Sequence, residues 1–280
     1  MQNVKTVGLL ALLSALLVFA AQAFGASAWV GLGFAAVLNL GAYFFSDKIA
    51  LASSRARPVT EEQLPGVYVS VRRLTTAANM PMPSIHVIDS PQPNAFATGR
   101  SPKHAAVAVT TGILQILTLE ELDAVLGHEL SHVRNRDILI SSIAAMLAAA
   151  LSMLARFAFF FGGGGDSRNN PIGAIGVILS IVVAPLAAML IRLAISRARE
   201  FEADADGAAL TGRPLELASA LAKIARGAAQ KPMDVNPAFA QLYIANPLKE
   251  SRRKNLMNLL STHPPMEERI KRLQAISARS

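Results

Sequence analysis

The chain has 280 residues, no cysteine and a net charge of +8. It is 52% hydrophobic and only 16% charged, with a mean hydropathy of +0.38. These values exclude an ordinary soluble domain, disulfides and thiolate metal ligands. On so apolar a chain the positive excess points to cytoplasmic loops and anionic lipid, not to nucleic acid.

Val4 to Ala23 is an apolar run with Lys5 near its start, long enough as a helix to cross about 30 Å of hydrocarbon. It reads as an anchor and not as a cleaved signal, because a second run, Trp29 to Phe45, follows almost at once. Asp47 and Lys48 close that second run, and the uncharged turn between the two implies a tight helical hairpin. The chain is then expected to leave the membrane over Ser46 to Pro65. Val67 to Asn79 has helical periodicity, and Met80-Pro81-Met82-Pro83 stops it. Ile85 to Ile88 reads as a short strand in which His86 is structural. Pro91 to Gly99 reads as a turn leading into a strand, and Ala105 to Thr111 as a second strand. Such a hairpin could offer an edge to an extended peptide by main-chain hydrogen bonds. It could equally be plain sheet.

Thr118 and Glu121 form a capping box that opens a helix. That helix carries His128-Glu129-Leu130-Ser131-His132 and is expected to continue through Asn135 and Asp137. Histidines four apart stand one turn apart on one face, where a single Zn²⁺ can take both at about 2.0–2.1 Å. Zinc lowers the pKa of a bound water, and Glu129 is placed to take its proton. Alone, the pentamer is only suggestive. Ile138 to Phe161 and Ile172 to Ile195 are a third and a fourth apolar run, joined by a glycine-rich turn. They must therefore pair antiparallel, which brings the residues after the fourth run back beside His132. There stand Glu200 and Asp204, four apart. Glu200 can complete a His₂Glu site, and Asp204 can accept an N–H from a ligand imidazole. Glu202 and Asp206 are rival carboxylates on another face. Leu215 to Ala225 reads as a further helix, Lys231 to Leu248 as a variable loop, and Thr262 to Ile270 as the start of a last helix. His263, held extended before two prolines, could donate to an oxyanion or be merely structural. Arginines and lysines gather on the histidine side of the spans, which puts both termini and the site in the cytoplasm.

Pro93 to Gly99, His128 to His132 with Asn135 and Asp137, Arg199 to Asp204, and Thr262 to Pro265 occur in an order that resembles the HtpX family of bacterial membrane zinc metalloproteases. The likeness to CAAX-prenyl endopeptidases is more distant. The resemblance covers essentially the whole chain. It implies one Zn²⁺ on His128, His132 and Glu200, with Glu129 as base. It also puts Asn94, Ala95, Phe96 and Ala97 beside the substrate. Function is implied as endoproteolysis of misfolded membrane proteins or unfolded polypeptides at the inner membrane. The expected fold is mainly α. Four transmembrane helices form two hairpins over a cytoplasmic, gluzincin-like α+β catalytic domain. Residues 1–46 are the first hairpin, 47–137 and 196–280 the two parts of the catalytic domain, and 138–195 the second hairpin. A non-catalytic metal-binding membrane protein and a metal-ion transporter are the rival readings.

Overall fold

The structure is a computed structural model that describes residues 27–146, 197–248 and 264–278, with scattered positions between residues 7 and 22. Helix α1, Ala28–Ser53, opens on Ser27, whose hydroxyl accepts the Val30 N–H. Among the described residues it is the one helix long and apolar enough to cross a membrane, and it is largely unburied. It does not stop where the apolar run does. Ile49 to Ala52 are apolar as well, so the helix carries past Asp47 and Lys48 until Ala50 and Leu51 meet Phe96 and Phe239 under the sheet. The first run is described only at scattered helical positions. Most of the third run, and all of the fourth, lie outside the described residues, as does His263.

The remaining elements are β1, Arg57–Pro58; α2, Pro65–Ala77; β2, Ser84–Ile88; β3, Ala95–Gly99; β4, Ala105–Thr110; and α3, Thr111–Ile116. They continue with α4, Leu119–Arg134; α5, Asp137–Met146; α6, Arg197–Thr211; α7, Pro214–Gln230; and α8, Met266–Ser277. The sheet order is β1-β2-β4-β3, with β2 and β4 parallel and the other pairs antiparallel. The expected hairpin is therefore β3–β4, and β3 is the last strand of the sheet. One sheet face, with Ala95, Ala97, Val107 and Val109, packs on α2, α4 and α7 through Leu74, Leu126, Leu130 and Leu221. The other face, with Phe96 and Ala108, packs on Ala50, Phe239 and Tyr243.

One expectation is corrected. The α4 helix does not run on through Asp137. It ends at Arg134, capped by Asn135, and Arg136 takes φ 60° before α5 begins. A left-handed arginine is unusual. It turns the chain so that Asp137 reaches back to His132, which a continuous helix would not allow. Lys231 to Leu248, read as a loop, is packed into the domain. A 3₁₀ turn, Pro237–Leu242, is capped by the Asn236 side chain, and Phe239, Tyr243 and Ile244 are buried. Pro237 and Pro247 break the periodicity by which a packed segment is normally recognised.

Helices α4 and α6 cross backbone to backbone. A Cβ on Gly207 would lie 2.7 Å from the His128 nitrogen and 3.0 Å from the Gly127 carbonyl carbon. One on Gly127 would lie 2.5 Å from the Thr211 methyl. Gly207→Ala should force the helices apart at His128. Overpacking of this kind costs about 1–3 kcal/mol. Thermal unfolding should register that loss together with weaker metal binding; unchanged values for both would mean that the crossing has slack.

Candidate metal centre and catalytic site

The capping box is formed as expected: the Thr118 hydroxyl accepts the Glu121 N–H, and the Glu121 carboxylate accepts the Thr118 N–H. It fixes the start of α4 and hence the register that turns His128, Glu129 and His132 inward. Glu121 also accepts from Lys223 and Ser219 on α7, and Asp123 pairs with Arg73 on α2. The helix is thus held on two sides before any metal is considered.

His128, His132 and Glu200 each offer a ligand atom, and these atoms lie within 4.8 Å of one another. Each imidazole is gripped by a carboxylate at its other nitrogen. His128 Nδ1 lies 3.0 Å from Asp204, and His132 Nδ1 lies 3.2 Å from Asp137. A carboxylate can only accept there, so each Nδ1 carries a proton, and each Nε2 is the nitrogen left to face a cation once it is deprotonated. The donor set, two imidazoles and a carboxylate, suits Zn²⁺ with a further position open. Glu202 is exposed, and Asp206 bonds outward to Arg134 and Asn135, so neither rival carboxylate joins the cluster.

Two buried guanidiniums, unanticipated from sequence, complete the site. Arg269 on α8 is 0% exposed. It grips Asp204 with two bonds, Nε at 2.8 Å and Nη2 at 2.7 Å, and its Nη1 lies 3.4 Å from Glu200. Arg199 pairs with Asp137 at 3.3 Å. Burial alone would raise the Asp204 carboxyl, but Arg269, with help from His128, holds it down at about 2. For His132 burial opposes the charge, yet Asp137, Glu200 and Glu129 prevail and push it up to about 9. Glu129 is raised, first by burial and further by Glu200; the two histidines and the Ala97 N–H pull the other way. A carboxylate raised toward neutrality is suited to taking and returning a proton.

The site opens into a cleft lined by Ala97, Ile138, Ser141 and Gln241 to Ile244 beside the histidines and Glu129. Of the four residues expected at the substrate, Ala97 faces this cleft. Asn94 and Phe96 are buried against Ala245 and Tyr243, and Ala95 accepts from Ile244. His86 stands apart on β2, bonded to Ser84, and burial lowers its pKa.

The peptidase family M48 model matches residues 62–277. The chain belongs to peptidase family M48. Relatives described as protease HtpX homologues include that of Thermodesulfovibrio yellowstonii, 49% identical with all of both chains covered. That of Syntrophobacter fumaroxidans is 49% identical over 97% of this chain and 98% of its own. That of Pelotomaculum thermopropionicum is 48% identical over 99% and 100%. Among solved structures the fold is similar to S. mikatae Ste24p, with a TM-score of 0.53 and 21% identity, over 97% of this chain and 65% of that one. An M48 member with this site is a metalloprotease, and the comparisons do not favour the non-catalytic and transporter readings.

Two outcomes follow from the geometry. With His132 raised to about 9, a metal ion arriving at neutral pH must displace its proton. Metal affinity should therefore climb as pH rises toward about 9, by up to about tenfold per unit. Calorimetric titration in buffers of different ionisation enthalpy reads the released proton directly, and none released at pH 7.5 would contradict the assignment. Arg269→Ala should cost about 3–5 kcal/mol in urea unfolding, because it leaves buried carboxylates uncompensated. Adding Asp204→Asn should return part of that loss; a fully additive double variant would show that the pair is not coupled.

Proposed function

We propose that this chain is a zinc endopeptidase of the bacterial inner membrane. His128, His132 and Glu200 would hold the metal, and Glu129 would serve as the catalytic base. The observation that carries the reading is the convergence of three ligand atoms within 4.8 Å, two of them on imidazoles already gripped by Asp204 and Asp137. The bound metal would supply Lewis-acid chemistry, polarising the scissile carbonyl and acidifying water. Glu129, buried beside the ligands, takes a proton from the attacking water and returns it to the leaving amine. Asp204 and Asp137 keep the imidazoles in one tautomer, and Arg269 keeps Asp204 ionised. The cleft past Ala97 takes the substrate main chain, while Asn94, Ala95 and Phe96 shape its far end. His263, from the motif beside α8, is proposed as a donor to the oxyanion.

The membrane setting is supported by α1, on which Trp29 is 80% and Val37 68% exposed. So large a bare apolar face belongs in lipid. Lys48 stands over the Phe45 ring at one end of it, a suitable level for the headgroups. Four spans, cytoplasmic termini and a cytoplasmic site complete the topology read from charge. Misfolded membrane proteins and unfolded polypeptides are the proposed substrates.

Glu129→Gln should retain one zinc per chain and lose about 10²–10⁴-fold in cleavage of an unfolded membrane substrate. Glu200→Ala should lose zinc as well as activity. Metal analysis beside a proteolysis assay checks both variants, and normal cleavage by Glu129→Gln would remove Glu129 as the base.

A further inference from the structure

β3 is the last strand of the sheet, yet part of its outer edge is already taken. In an antiparallel pair, alternate residues turn their main-chain groups to one side. Ala95, Ala97 and Gly99 form the outward set of β3. The Ala97 N–H points at the Glu129 carboxylate. The Ala95 carbonyl accepts the Ile244 N–H at 3.2 Å. Next to it, the Asn94 side-chain amide donates to the Ala245 carbonyl at 2.8 Å and accepts the Ala245 N–H at 3.2 Å, which copies a strand pair. Tyr243 lies edge-on to Phe96, with ring centroids 5.0 Å apart. Tyr243 thus meets Phe96, Ile244 meets Ala95, and Ala245 meets Asn94. The segment runs antiparallel to β3, starting in the cleft at Gln241 and leading away from Glu129. Gln92, bonded to the carbonyls of Ala228 and Pro247, secures its far end.

We propose that Tyr243–Ala245 is a built-in stop strand, which confines sequence selectivity to substrate residues before the scissile bond. The proposal rests on the peptidase reading of the Glu129 site. A substrate strand laid on β3 in the same antiparallel sense has its N-terminal part alongside Gly99 and its C-terminal part toward Ala95. Ala95 and Ala97 are separated by about 7 Å of strand. Beyond the level of Glu129 there is room for one substrate residue, at most about two, before the stop. Residues further along must turn out of the groove, where neither main-chain pairing nor a side-chain pocket selects them. Those before the bond lie along Ala97 to Gly99, beside which the described residues place no further strand, and edge pairing with alternating pockets is the way such a groove reads sequence.

The test is cleavage-site profiling. The full-length enzyme in detergent is loaded with zinc and given a peptide library from denatured proteins, and the products are sequenced by mass spectrometry. Residue preferences should appear at positions preceding the bond and flatten from the second position after it. Equal selectivity on both sides, in cleavage that Glu129→Gln abolishes, overturns the stop alone. Cleavage that survives Glu129→Gln overturns the peptidase site and the stop with it. Two variants loosen the segment without touching the metal residues. Asn94→Ala removes the amide clamp. Ile244→Pro removes the N–H, and Tyr243, with φ −82° and ψ 146°, already suits a residue before proline. Each should gain selectivity at the second and third positions after the bond. A folded variant with the wild-type profile contradicts the proposal. Should neither variant fold, the wild-type profile decides on its own.

Discussion

Everything at the site depends on how closely two helix backbones approach. His128 and His132 ride on α4, Glu200 and Asp204 on α6, and the two helices touch where Gly127 faces Gly207. Side chains there would set the axes at the usual 8–10 Å spacing. Without them, the short carboxylates of Glu200 and Asp204 come within reach of the imidazoles. The glycines contribute no chemistry themselves. They set the scale on which that chemistry can be assembled.

Charge is the second constraint. Glu129, Asp137, Glu200 and Asp204 are all buried, as are Arg199 and Arg269. Four carboxylates against two guanidiniums leave a deficit of two positive charges if all are ionised. Burying unbalanced charge is costly, so the site must recruit protons or a cation. A divalent ion closes the balance, whereas the raised Glu129 and His132 mark where protons would otherwise be held. The same charge deficit that suits the cluster to a cation also accompanies the raised Glu129.

What the sequence made legible was short in range or carried by a motif. The capping box lies within one turn, the histidine pair within another, and Glu200 with Asp204 within a third. The expected pairing of the apolar runs pointed the stretch around Glu200 toward the histidines, and the choice of Glu200 over its rival carboxylates rested mainly on the family resemblance. Asp137 was quoted among the motif residues, but its role depends on a helix break at Arg136 that periodicity does not announce. Arg269 received no role from the sequence, since only tertiary packing buries it completely. Tyr243 and Ile244 were hidden by flanking prolines. Arg269, Tyr243 and Ile244 act across long sequence separations, where local pattern is silent.

Arg269 has a further consequence, because it is drawn from α8, the last helix described. Until that helix docks, Asp204 and Glu200 lack the guanidinium that balances their charge. A chain emerging from the ribosome therefore displays its His-Glu-x-x-His helix long before the piece that tunes it has been made. The charge network at the site is therefore completed only when the last described helix docks.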